Sequence, residues 1–105
     1  MSKKKTYTPK AERHHLDKVA SLGCIVCSNL GYPDTPAGIH HIRTGYGIGQ
    51  RSSHYETLPL CALHHLTGGY GVAYHAGAEE WERNYGAELD LLEQVRRELG
   101  LRNDC

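Results

Sequence analysis

The chain has 105 residues, enough for one domain with a thin core, since only 39% of it is hydrophobic and it contains no Phe. Twelve Lys/Arg offset twelve Asp/Glu, so the formal charge is zero overall but unevenly laid out. No apolar run approaches the roughly 18 residues of a membrane span, and the lysine-rich start lacks the apolar stretch of a signal peptide. No membrane partner is therefore expected, and the expected compartment is the cytoplasm.

Residues 1–18 hold six basic side chains (Lys3, Lys4, Lys5, Lys10, Arg13, Lys18) against Glu12 and Asp17. Residues 1–8 read as a flexible basic arm that can touch phosphates, and residues 9–105 as a single domain. Residues 79–98 are the opposite, with seven acidic side chains against three basic, and would repel phosphates; for these charges alone a solubilising tail and a solvated helix face account for the pattern equally well.

Thr8-Pro9 predicts a helix start, with Thr8 as cap and Pro9 in the first helical position. Leu16, Val19 and Ala20 share one face of that helix, and Gly23 supplies its stop. The chain then enters the turn Cys24-Ile25-Val26-Cys27. Gly31 to Gly38, with Pro33 and Pro36, is a loop, and Ile39 to Ile42 is a short strand. Residues 44–56 form a long glycine-rich polar loop (Gly45, Gly47, Gly49), the kind more often functional or mobile than decorative. Thr57 to Leu60 is a second strand leading into Cys61. A helix begins over 62–66 and is interrupted at Gly68-Gly69-Tyr70-Gly71. Ala78, Trp81 and Tyr85, then Leu89, Leu92, Val95 and Leu99, carry helical stripes that belong to the core.

Cys24-x2-Cys27 and Cys61-x2-His64 supply four soft ligands at the spacing of a tetrahedral structural zinc site. A Cys-x2-Cys turn puts two sulfurs on one ion without strain, and a helix opening at Cys61 projects Cys61 and His64 from one face. Two disulfides are the competing arrangement. Cys105 is terminal and a Cys24–Cys27 bridge closes a very tight ring, so the zinc reading is preferred and Cys105 is a free tail thiol. A bound metal would also help a thin core hold one fold.

Histidines remain after that zinc is satisfied. His40 and His41 are adjacent on a strand, so their rings point to opposite faces and suit two jobs: one holding a metal, one acting as a base. His65 lies about 100° round the helix from His64 and can face a different metal. His75 can close that second site, and His54 flanks it.

The strand with paired His40-His41-Ile42, the strand Thr57-Leu58-Pro59-Leu60-Cys61 and the helix opening with His64-His65 resemble the HNH or ββα-metal nucleases. The run Ile39-His40-His41-Ile42-Arg43-Thr44-Gly45 through Gly49-Gln50-Arg51 is more closely similar to the phage recombination enhancement function (Ref) proteins, which are RecA-dependent nucleases. The similarity continues through His54-Tyr55-Glu56-Thr57, His64-His65 and Gly68-Gly69-Tyr70-Gly71-Val72-Ala73, and covers roughly residues 20–95. It implies an α+β fold, with a small ββα-metal (HNH-like) core, a structural zinc knot and flanking helices. It further implies His41 as general base, and His40 and His65 as ligands of a catalytic divalent metal, with His75 a further candidate. That metal would be Mg2+ or Mn2+ (or Zn2+), and the partners DNA and a RecA filament.

The middle Asn of the HNH name has no counterpart, because Glu56 stands near its place; His54 is the candidate for its orienting role or for a metal ligand. The Ref proteins carry a long basic extension where a short lysine-rich arm stands here, so weaker unaided DNA binding is expected. Arg43, Arg51 and the arm lysines Lys3, Lys4 and Lys5 are the candidates for phosphate contacts.

The rival reading is a non-catalytic zinc-stabilised module that binds nucleic acid or protein, with the extra histidines structural. It predicts one tightly held zinc and no need for magnesium or manganese. A nucleic-acid deaminase is excluded despite His54-Tyr55-Glu56, because that class needs Pro-Cys-x2-Cys in a later helix. A zinc protease is disfavoured by the lack of His-Glu-x2-His.

Overall fold

A computed structural model of the chain describes residues 8–103, so Lys3, Lys4, Lys5 and Cys105 lie outside the described residues. The elements run α1 (Lys10–Ser21), α2 (Ile25–Asn29), β1 (Gly38–His41) and β2 (Thr57–Leu60). A π-helical turn (Leu63–Thr67), a 3-10 turn (Tyr74–Ala76), α3 (Ala78–Tyr85) and α4 (Glu88–Asn103) follow. This is a small mixed α+β fold, and its two strands pair antiparallel as a single hairpin.

Helix α1 begins one residue later than the sequence predicts. Pro9 is the cap, extended at ψ 151°, and its carbonyl accepts the Arg13 amide at 3.0 Å, while Thr8 caps nothing. The stop is where it was expected. Gly23 takes φ +79°, and a Cβ there would lie 3.1 Å from the Thr35 carbonyl oxygen. That closeness lets the Cys24 amide bond the same carbonyl at 2.8 Å, which ties the proline-rich loop to the start of α2.

The Cys24–Cys27 turn is itself a short helix, with Cys24 Sγ accepting the Cys27 amide at 3.5 Å. Its Ile25 and Val26 are buried beside Val19, Leu58 and Leu60. The hairpin register sets His40 opposite Leu58 and His41 opposite Thr57. All four residues of β2 are buried, so this strand runs through the core with helices packed around it.

Beyond Cys61 the chain does not form the expected α-helix. It widens into a π-helical turn closed by the Gly68 amide on the Leu63 carbonyl at 2.9 Å. Such turns are rare and recur at functional sites. On α3, Trp81 is fully buried and Tyr85 half-buried, but Ala78 is exposed. On α4 the inward stripe is Leu91, Leu92, Val95 and Leu99, whereas Leu89 is 52% exposed. The helix is rotated this way because Glu88, and not Leu89, turns into the interior.

Candidate metal centre and histidine site

Helix α2 and the π-helical turn bring Cys24, Cys27, Cys61 and His64 together, with all four ligand atoms within 4.8 Å of one another. Cys27 Sγ lies 3.8 Å from Cys61 Sγ. His64 Nδ1 lies 3.8, 3.5 and 3.3 Å from the sulfurs of Cys24, Cys27 and Cys61. Sulfurs at about 2.3 Å from a tetrahedral zinc are about 3.8 Å apart, so the donor set and its spacing fit that ion. Burial pushes the Cys24 thiol up to about 12. Burial also opposes ionisation of Cys61, but the His64 amide and the thiols of Cys24 and Cys27 bond its sulfur and hold it below the usual thiol range. The Trp81 indole donates to the His64 carbonyl at 3.0 Å and fastens this cluster to α3.

A second cluster joins His40, His65 and His75 from β1, the π-helical turn and the 3-10 turn, again with ligand atoms within 4.8 Å. Ring centroids are 5.0 Å apart for His40–His65, 5.4 Å for His40–His75 and 4.8 Å for His65–His75. Burial, together with His40 and His75, pulls His65 down to about 4. Burial, then His40, holds His75 below the ordinary histidine range too. Both rings are therefore neutral near pH 7, the form whose lone pair can bind a cation. Three imidazoles leave coordination positions for water or substrate, which suits a working metal better than a sealed structural one.

Glu88 is the residue that motif reasoning missed. It is fully buried at the start of α4, and the His40 imidazole donates Nε2–H to its Oε2 at 2.5 Å. Its Oε1 accepts the amides of Arg43 and Thr44 at 2.8 Å each and the Thr44 hydroxyl at 2.7 Å. Burial would raise its pKa, but these bonds outweigh it and bring the carboxyl down to about 2. With Nε2 committed, His40 Nδ1 is the nitrogen left for a metal, the usual carboxylate–histidine arrangement behind a ligand. A signal was present in the sequence: Glu88 falls in register with Leu91, Leu92 and Val95, a carboxylate on an apolar helical face.

His41 turns away from this cluster. Its Nε2 meets His54 Nδ1 at 2.9 Å, and His54 Nε2 lies 3.9 Å from Glu12 Oε1 on α1. One tautomer assignment satisfies the whole row. His54 Nε2–H points toward the carboxylate, His41 Nε2–H donates to His54 Nδ1, and His41 Nδ1 keeps a free lone pair. Burial, then Arg51, His54 and His40, lower the His41 pKa. His54 is thus beside His41 and outside the three-histidine cluster.

The loop between the strands is held from within. Arg43 Nη2 donates to the Gly47 carbonyl at 2.9 Å, and Nη1 to the Gln50 carbonyl. Arg51 is exposed. No helix among the described residues is long and apolar enough to cross a membrane.

A comparison with curated proteins finds no match. The family model described as recombination enhancement, RecA-dependent nuclease matches residues 8–99, and with nearly the whole described fold inside that match the chain belongs to this family.

Proposed function

We propose that the chain is a metal-dependent DNA endonuclease of the HNH, ββα-metal type, using a histidine base and working with RecA filaments in recombination. The family description supports a nuclease with RecA dependence. The observation that carries the finer reading is the hairpin's division of labour. His40 joins His65 and His75 in a three-imidazole cluster, while adjacent His41 keeps an unshared nitrogen and is braced by His54. The order β1, β2, helical turn, with ligands on the first strand and the turn, supports the ββα-metal assignment.

In this reading Cys24, Cys27, Cys61 and His64 hold a structural Zn2+, and residues 9–105 form one domain. His40, His65 and His75 would hold a divalent ion, their three imidazoles suiting Zn2+ and, less well, Mn2+ better than oxygen-seeking Mg2+, and the bound ion would supply positive charge at the phosphate. His41 Nδ1 takes a proton from water as that water attacks phosphorus, and the P–O3′ bond breaks, the departing 3′-oxygen taking its proton from solvent to leave a 3′-hydroxyl. His41 is held in place for this by its Nε2–H on His54 Nδ1 at 2.9 Å, and His54 Nε2 faces Glu12 Oε1 at 3.9 Å. Glu88 orients His40. Arg51 meets a phosphate, as do Lys3, Lys4 and Lys5 of the arm, and Arg43 shapes the loop that carries Arg51.

The test is cleavage of single-stranded and duplex DNA in magnesium or manganese, with and without RecA and ATP, beside His41→Ala. Cleavage only with RecA, lost in the variant, is the expected result. Cleavage without RecA rejects the dependence and keeps the chemistry. Silence in every lane from folded, zinc-loaded protein overturns the enzyme reading in favour of a non-catalytic zinc module that binds nucleic acid or protein.

A further inference from the structure

Ile48 is the most exposed large apolar side chain among the described residues, at 103% of its reference area against 72% for Tyr70. Single exposed aliphatics are ordinary on protein surfaces. What distinguishes this one is its mount. The Gln50 amide bonds the Gly47 carbonyl at 3.0 Å, and Gly49 takes φ +81°. Ile48 therefore occupies the second position of a hydrogen-bonded turn with glycine third, the outer corner of the loop. The β-branched side chain itself has few rotamers.

The turn stands on a stiff stem. Both Arg43 guanidinium bonds go to the carbonyls that flank it, those of Gly47 and Gln50. The Gln50 side chain accepts the Gly47 amide at 3.0 Å. Tyr46 donates its hydroxyl to Glu56 at 2.6 Å and its amide to the Arg43 carbonyl at 3.0 Å. Below them, the amides of Arg43 and Thr44 are anchored on buried Glu88. A loop built only to connect two strands needs none of this bracing.

The charge around it names the partner class. Between Asp34 and Glu79 the chain contains one carboxylate, Glu56, and Tyr46 hydrogen-bonds it, while Glu12 of α1 reaches the hairpin at His54, 3.9 Å away. Arg51 follows three residues after Ile48 and is exposed. A polyanion can approach this side of the molecule, and a stiff aliphatic tip beside a cation is the equipment of proteins that part stacked bases. A protein interface would ask instead for a contiguous apolar or aromatic patch, and the residues flanking Ile48 are glycines.

We infer that Ile48 is a wedge that inserts between adjacent bases of DNA held against the hairpin, unstacking one step beside the His40–His41 strand. This rests on the nuclease reading, and adds to it that the substrate is distorted as it is bound.

The experiment uses full-length, zinc-loaded protein carrying His41→Ala to prevent cleavage, with or without Ile48→Ser. The probes are duplex and single-stranded oligonucleotides with 2-aminopurine at successive positions, alone and with RecA and ATP. Binding should raise fluorescence at a subset of positions, and Ile48→Ser should lose that rise while retaining binding and the melting temperature. An equal rise in Ile48→Ser, or binding without any rise, overturns the wedge and leaves the nuclease untouched. Weaker association of Ile48→Ser with RecA alone, with no change in fluorescence, also overturns it and makes the tip a protein contact. If neither protein binds any DNA form and unmutated protein cuts none, wedge and nuclease fall together.

Discussion

His40 and Glu88, 48 residues apart in sequence, meet at 2.5 Å with essentially no solvent on either side chain. The same carboxylate ties down the start of the inter-strand loop through two amides and the Thr44 hydroxyl. Removing it strands the buried His40 donor and three part-buried donors of Arg43 and Thr44 at once. Glu88→Ala should destabilise the domain by about 3–5 kcal/mol, measured by denaturant unfolding of zinc-loaded protein. Glu88→Gln keeps the shape and should unfold less readily than Glu88→Ala. It should nonetheless bind Mn2+ at the three-histidine cluster about 10–100-fold more weakly. Unchanged metal affinity in a folded Glu88→Gln would show that the carboxylate does not orient His40.

The two clusters should respond differently to loss of ligands. Cys24→Ala or Cys61→Ala, or strong chelation, should unfold the domain, as far-ultraviolet circular dichroism will read, because a thin core relies on that ion. His65→Ala should leave the fold and one equivalent of zinc in place and remove cleavage. Acid acts in the same direction on the thiolate site. The Cys24 thiol is pushed up to about 12 when no cation balances it, so binding zinc must displace its proton, and affinity falls as pH falls. A zinc affinity that is flat between neutral and mildly acidic pH would contradict this.

His41→Ala should lower the cleavage rate by about 10²–10⁴-fold while zinc content and melting temperature stay the same. His54→Ala should cost less, because it removes the brace and leaves the base. A parallel loss of folding in His41→Ala would mark the residue as structural.

The base is active when neutral, so cleavage should be lost as pH falls through the His41 pKa. Burial, then the charge of Arg51, set that pKa below the ordinary histidine value, so the acid limb should lie below about pH 6.5. Arg51→Ala removes a nearby positive charge, raises the His41 pKa and should move the acid limb to higher pH. The same variant should reduce the salt slope of DNA binding by about 1 if Arg51 meets a phosphate. A pH–rate profile that does not shift would separate Arg51 from the base.

Gly68→Ala should damage the turn that carries both His64 and His65. A Cβ at residue 68 would stand 2.5 Å from the Leu63 carbonyl oxygen and 2.5 Å from Val72 Cγ1, and the backbone oxygen has nowhere to go. A loss of about 1–3 kcal/mol is expected, with weaker metal retention, read by thermal melting and metal analysis.

The residues that the fold gathers into two clusters were legible as candidates in the sequence, Cys24, Cys27, Cys61 and His64 from their paired spacings and His65 and His75 as histidines left over, whereas the choice of His40 over His41 came from the family resemblance. The two strands were legible to within a residue, α3 from its period and its stop at Gly86, and α4 from its period, although it runs on through Gly100 to Asn103. Three features were decided only in three dimensions. The π-helical turn depends on a backbone bond from Gly68 to Leu63 and on Val72 packing against Gly68, which no local propensity encodes. Arg43, a candidate phosphate contact by its position, directs two guanidinium donors into its own loop because the turn brings the Gly47 and Gln50 carbonyls to it. Glu88 was one of seven acidic side chains in residues 79–98 and its place on the face of Leu91, Leu92 and Val95 was the one hint of burial, while Leu89 was read as core. The rotation of α4 reversed them, because the buried His40 imidazole and two loop amides needed an acceptor that only tertiary packing could deliver.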